Sequence, residues 1–148
     1  MVDEIIDLTK EFWDDYFLHF HEHILMDSIF DHEASYIGGG CPPIETKDGW
    51  LMIYHGVHDT PSGYVYTACA ALLDLNNPKK EIARLPYALF HPEYQYELTG
   101  YVNNVCFPTG TVTEGDTLYI YYGAADEKIA CVSVSISELV IELLNNPR

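Results

Sequence analysis

The sequence of 148 residues is long enough for one domain with its own core, and its 48% hydrophobic content is that of a globular chain. Twenty-three acidic residues against seven basic ones give a formal charge of −16. That argues against nucleic acid, anionic membrane surfaces and small anions, all of which are bound through Lys/Arg clusters. Tyrosine is used heavily, 12 times beside six phenylalanines and two tryptophans, which suits sheets whose polar-tipped aromatics meet polar ligands such as carbohydrate.

Residues 2–18 place Ile5, Leu8, Phe12, Trp13, Tyr16 and Phe17 near helical spacing, predicting an amphipathic helix. In the "HFHEH" that follows, His19, His21 and His23 would share one face of a strand, a spacing that suits zinc or nickel, and would diverge in a helix. A surface or packing role is expected there, and no metal. "IGGGCPPIETKDGWLMIYHGV" (37–57) lacks the Lys-Ser/Thr and the helix that a phosphate-binding loop needs after its glycines. Its three glycines read instead as a strand entrance where backbone comes close to a ligand.

From Trp50 the pattern turns to period two or continuous β-formers. "WLMIYHGV" and "GYVYTACAALLDL" are predicted strands separated by a turn-rich "HDTPS". "NNPKKEIARLP" reads as a loop with a brief extended stretch. "YVNNVCFPTGTV", "DTLYIYYGAA" and "KIACVSVSI" are three further strands, with turns at "TEGD" and "ADE". "SELVIELLN" (137–145) opens on a serine N-cap with glutamate in its first turn, predicting a closing helix. Cys41, Cys69, Cys106 and Cys131 show no CxxC spacing and are expected to be buried free thiols. With no secretory leader and no apolar run of spanning length, a cytoplasmic location is expected.

"LMIYHGV" (51–57) recurs as "LYIYYGA" (118–124), and each is followed by a strand carrying Ala-Cys, at 68–69 and 130–131. Repeated antiparallel hairpins without interleaved helices predict an all-β architecture such as a propeller.

The motifs "IGGGCPPIETKDGWLMIYHGV", "YTACAALLDL" with its "NNP", "YELTGYVNNVCFPTG" and "LYIYYGAADEKIA", in that order, resemble glycoside hydrolase family 130, the β-mannoside phosphorylases and related mannosidases. The resemblance implies an all-β fold that is part of a five-bladed β-propeller, about two blades, with short N- and C-terminal helices. Residues 33–135 would form the blades, 1–32 a divergent N-terminal segment and 136–148 a C-terminal helix and tail.

It also implies an inverting reaction on a β-mannoside, with inorganic phosphate as co-substrate in the phosphorylases and no other cofactor. The family's general acid, an aspartate, and its phosphate-binding arginines have no counterpart here, so the chain alone is expected to be inactive. A hydrolase of the same family and a non-catalytic carbohydrate-binding or assembly module are the alternatives.

Residue by residue, the resemblance places His55 and Tyr66 at the phosphate and Asp126 at the glycone. Tyr36 stands where the phosphorylases carry a lysine, and one neutral hydroxyl replaces a full charge with three donors. Glu33 becomes the candidate base for an attacking water. Asn104, with Asn103 and Glu97 nearby, either supports its loop or binds a sugar hydroxyl. Open strand edges predict a homo-oligomer or pairing with a complementary N-terminal fragment.

Overall fold

A computed structural model of the protein describes residues 9–148, so the part of the first expected helix that precedes Thr9 lies outside the described residues. Helix α1 spans Lys10–Leu18, with the Thr9 hydroxyl accepting from the Phe12 amide at 3.3 Å. None of its residues is buried, and its aromatics pack on one another: the Phe12 and Trp13 rings lie 5.2 Å apart and those of Trp13 and Tyr16 5.6 Å apart. The histidines that follow do not form a strand. His19 caps α1, while His23 ends a 3₁₀ turn over Phe20–His23 and stacks on Tyr16 at 4.6 Å.

The strands form two antiparallel sheets. The first contains β1 (Tyr36–Gly39), β2 (Ile44–Glu45), β3 (Trp50–Thr60), β4 (Gly63–Leu73) and β5 (Glu81–Arg84) in the order β1-β3-β4-β5, with β2 also pairing β3. The second is the meander β6 (Cys106–Glu114), β7 (Thr117–Ala124) and β8 (Lys128–Ser135). The short helix α2 (Gln95–Leu98) lies in the connection between the sheets, and α3 (Ile136–Leu144) closes the chain. The fold is therefore mostly β with a few short helices, and the repeated motif supplies a long strand and its hairpin partner in each sheet. No helix among the described residues is long and apolar enough to cross a membrane.

Three boundaries differ from the sequence expectation. "HDTPS" is not a linker: β3 runs on through Thr60, and only Pro61 and Ser62 turn the chain, with the Thr60 hydroxyl donating to the Gly63 carbonyl at 2.7 Å. "YVNN" is loop rather than strand, and β6 begins at Cys106. The closing helix is capped by Ser135, whose hydroxyl accepts from the Glu138 amide at 3.1 Å, and not by Ser137. Cys41, Cys69 and Cys106 are buried free thiols as expected, whereas Cys131 is exposed.

The register decides which side chains share a face. Successive strand residues point to opposite sides, and cross-strand partners point to the same side. Leu51 pairs with Leu72, Ile53 with Ala70, His55 with Ala68 and Val57 with Tyr66, so these lie on one face of the first sheet. Tyr36, opposite Val57, and Gly38, opposite His55, extend the same face. Its apolar rows join Leu118 and Ile120 of β7 and Leu139, Val140 and Leu143 of α3 in the main core. Past Ile53 the same face becomes aromatic and polar. The candidate site is thus the polar end of the main core.

The opposite face carries Met52, Tyr54 and Gly56 of β3, with Cys69 and Ala71 of β4. Met26 packs against this face, and a 3₁₀ turn over Asp31–Glu33 sets Glu33 against Gly56, where a Cβ would come within 2.9 Å of the glutamate Cβ.

Candidate functional site

His55 sits in the middle of β3 and is 7% exposed. Its ring lies 4.3 Å from Phe107 of β6 and 6.1 Å from Tyr66 of β4, centroid to centroid. Gly38 makes room for it, since a Cβ at that position would come within 2.4 Å of the imidazole Cε1. Of the glycine run, Gly38 is therefore the one needed at this cross-strand contact, where a side chain would collide with the ring, while a Cβ at Gly39 would meet open space. Burial pushes the His55 pKa down, only partly offset by a backbone hydrogen bond at Gly39, so the imidazole is neutral at neutral pH. Its Nδ1 is buried and finds no hydrogen-bond partner among the described residues.

Tyr36 and Tyr66 meet through their hydroxyls at 2.6 Å, from the outer ends of the row they share with Val57. The hydrogen bond to Tyr66 pushes the Tyr36 pKa up to about 12, so this phenol is also uncharged. His55, Tyr66 and Tyr36 thus form one connected cluster, with Phe107 as its apolar floor. Phe107 was not singled out in the sequence. Its place in "NNVCFPTG" next to the loop was the available signal.

A cavity of about 330 Å³ is lined by Tyr66, Val102, Val105, Phe107 and Asp126. Among the described residues, Asp126 is the one carboxylate in this lining. It stands exposed in the turn between β7 and β8, with φ at 52°, next to Ala125 at 50°. Asn104 has φ 59°, and these three are the non-glycine residues with left-handed backbone among those described. Such conformations cost of order 1–3 kcal/mol each, less for Asn and Asp, and cluster where function fixes the backbone.

The turn and the loop hold each other. The Val102 amide donates to Ala125 O at 3.1 Å, and the Ala125 amide donates to Val105 O at 3.1 Å. The Asn104 carbonyl accepts from the Tyr66 amide at 2.9 Å. Asn104 therefore ties the loop to β4 through its backbone.

Glu97 is a buttress for this loop. Buried in α2, its carboxylate accepts from the Tyr122 hydroxyl at 2.5 Å and from the Glu93 and Tyr94 amides at 2.8 Å each. Desolvation would raise its pKa, but these donors win and hold it below the usual carboxylate range.

Glu33, expected beside Tyr36 as a candidate base, lies on the other side of the first sheet. It is fully buried, with Arg84 Nη1 3.1 Å from its Oε2 and the Tyr54 hydroxyl 3.5 Å from its Oε1. Burial pushes its pKa up and Arg84 pulls against that shift. The strand between Glu33 and the cavity rules out water activation at Tyr36 from this position; the carboxylate is one half of a structural ion pair. Among the described residues, no group of three or more His, Cys, Asp or Glu side chains is placed to hold a metal ion.

The family profile of glycoside hydrolase family 130, described as beta-1,4-mannooligosaccharide phosphorylase, matches residues 13–145. The chain is similar to the beta-1,2-mannobiose phosphorylase of Listeria innocua, 39% identical over 123 residues that make up 83% of this chain and 34% of the relative. It is also similar to the 1,2-beta-oligomannan phosphorylase of a Thermoanaerobacter species, at 40% identity over 80% of this chain and 39% of the relative.

Among solved structures, the Listeria innocua enzyme in complex with beta-1,2-mannobiose superposes with a TM-score of 0.71 at 41% identity, over 76% of this chain and 31% of that one. A structure from work on family members that are hydrolases of beta-1,2 mannosidic linkages in Candida mannan gives 0.62 at 32% identity, over 76% and 33% of the two chains. The chain spans about a third of the length of the curated relatives it matches. With the profile covering most of its length, this chain belongs to glycoside hydrolase family 130.

Proposed function

We propose that this chain forms one wall of a β-mannoside site of the family 130 type, as about two blades of a five-bladed propeller. The observation that carries the reading is the joining of His55, Tyr66 and Tyr36 into one cluster whose Tyr66, together with Phe107, lines a cavity with Asp126. An aromatic floor, neutral hydroxyls and a single carboxylate suit a pyranose: the rings cover its C–H faces, and the carboxylate accepts from its hydroxyls. Phosphate, the co-substrate of a phosphorylase, would approach His55 and Tyr66.

One observation favours mannoside hydrolysis or non-catalytic binding over phosphorolysis. His55 and Tyr36 are both neutral at neutral pH, and no lysine or arginine lines the cavity among the described residues. An anion entering a chain of charge −16 finds no cation there. The free thiols support a reducing, cytoplasmic setting.

Binding tests the reading. Calorimetric titration with β-1,2- and β-1,4-mannobiose should give measurable affinity, and Asp126→Ala should weaken it at least tenfold, because a charged acceptor to a sugar hydroxyl contributes about 1.5–3 kcal/mol. Equal affinity in the variant would remove Asp126 from the site.

The partner side of the proposal is self-association or pairing with a complementary fragment. The outer face of the second sheet carries Val112, Tyr121 and Ile129, the last 83% exposed, in adjoining cross-strand rows. Such an open apolar sheet face is covered in most folded proteins. Light scattering on the purified chain should therefore show a mass above the 16.8 kDa monomer that rises with concentration. A monodisperse monomer at high concentration would count against the open sheet.

A further inference from the structure

We propose that His32, facing His58, is an acid-sensitive latch: it holds the Asp31–Glu33 turn against β3, and with it the start of β1 at Tyr36, only while its imidazole is uncharged. The turn sits on a glycine. A Cβ at Gly56 would meet the His32 carbonyl at 3.0 Å as well as the Glu33 Cβ. The Glu33 amide donates to Phe30 O at 3.0 Å and the Ala34 amide to Asp31 O at 3.3 Å, which closes the turn. The Ser35 amide then donates to Val57 O at 2.8 Å, and Tyr36 pairs with Val57 to open β1. Only Ala34 and Ser35 separate the turn from a member of the His55–Tyr66–Tyr36 cluster.

The His32 side chain is 13% exposed, and its ring stacks on Phe30 at 5.7 Å with 12° between the planes. His58 follows Gly56 by two residues on β3, so it lies on the same side of the sheet as the turn. Neither His32 Nε2 nor His58 Nδ1 has a hydrogen-bond partner among the described residues, and both atoms are buried.

The charged groups around the ring disfavour a proton on it. Asp31 and Glu33 come from its own turn, His58 from β3 and Arg84 from β5, while the Arg148 guanidinium lies over Phe30 at 5.9 Å. Glu33 Oε1 is 3.9 Å from His32 Nε2, but Arg84 already holds that carboxylate. Burial keeps Tyr54 and Cys69, on the same face, protonated and uncharged. Burial first, then His58 and Arg84, push the His32 pKa below 6.5, and Asp31 opposes them.

The unfolded chain thus takes up this proton near 6.5 and the folded chain only at lower pH. Stability is full above 6.5 and falls as the pH drops below it. Protonation in the fold sets a cation beside Arg84 and His58, which frees the turn from β3 and Tyr36 from its anchor.

Urea unfolding between about pH 7.5 and 5.5, on this chain and on His32→Gln, tests the latch. His55, also buried and neutral, adds a slope of the same sign to both proteins, so the readout is their difference. The unfolding constant of the chain should rise with acid more steeply than that of the variant, by up to about tenfold per pH unit, the limit for one proton. In isotopically labelled protein the His32 ring should titrate below 6.5, and the Ser35 and Tyr36 amides should shift with it. His58→Gln should move that titration upward, because one opposing charge is gone.

Equal pH slopes in the two proteins would overturn the latch. So would a His32 ring that titrates at or above 6.5, or Ser35 and Tyr36 amides that do not follow it. If His32→Gln fails to fold, the ring and amide titrations decide, since they use the unaltered chain. No sugar enters any of these readouts, so the latch and the mannoside reading stand or fall separately.

Discussion

Arg84→Met is expected to destabilise the protein by about 3–5 kcal/mol, a large share of a typical domain's stability. Arg84 is 2% exposed and stands on the same face of the first sheet as Tyr54, over whose ring its guanidinium lies at 5.7 Å. It bonds Glu33 at 3.1 Å and the Asp27 carbonyl at 2.8 Å, and pairs with Glu81. Methionine fills much of the same volume but leaves two carboxylates, Glu33 and Glu81, facing each other without that cation. Urea unfolding should show the loss as a lower midpoint. Glu33→Gln should cost less, because Arg84 keeps Glu81, and the paired change Glu33→Leu with Arg84→Met should recover most of the deficit. A base at Glu33 would give the reverse pattern, with stability kept and water attack lost.

The isolated chain should show no turnover of β-mannobiose, with or without phosphate. Inverting glycoside cleavage needs an acid for the leaving oxygen as well as an attacking group. The described lining offers Asp126 as its one carboxylate, and Glu33 is sealed behind the sheet. Proton transfer by a positioned acid is worth about 10²–10⁴-fold, so any residual rate should lie at least that far below that of an enzyme with its acid in place. Mannose 1-phosphate and free mannose, separated chromatographically after long incubation, report both routes at once. Release of either at an enzymatic rate, abolished by Asp126→Ala, would show that the chain holds a complete active site.

The strands that build the core were legible for two reasons. In β7 the buried Leu118 and Ile120 alternate with the less buried Tyr119 and Tyr121, whereas β3 and β4 are covered on both faces and read as continuous β-former runs, and the recurrence of the motif marked the same strand in each sheet. Legibility failed where no core imposes a pattern. The outer end of the β3–β4 hairpin is solvated, so "HDTPS" reads as turn while its first residues keep full pairing with β4. In "YVNNV" the valines suggest a strand, but the left-handed Asn104 and the tie to Ala125 make it a loop.

Site residues followed the same division. His55, Tyr66, Tyr36 and Asp126 were singled out as candidates through motif resemblance, and strand parity places the first three on one face. Glu33 was misplaced because nearness to Tyr36 in sequence says nothing about which face of the sheet a preceding turn will cover. The buried nature of its partner Arg84, in a stretch read as loop, was hidden for the same reason. Phe107 carried no pattern of its own; only the fold brings it to the cavity.

Chemical-shift mapping with β-1,2-mannobiose on isotopically labelled protein tests the central claim most directly. The account predicts saturable shifts at the amides of His55, Tyr66, Phe107 and Asp126, with none at Tyr54, Cys69 and Arg84 across the sheet. Shifts confined to that opposite face, or none anywhere at saturating sugar, would contradict a mannoside site at Asp126.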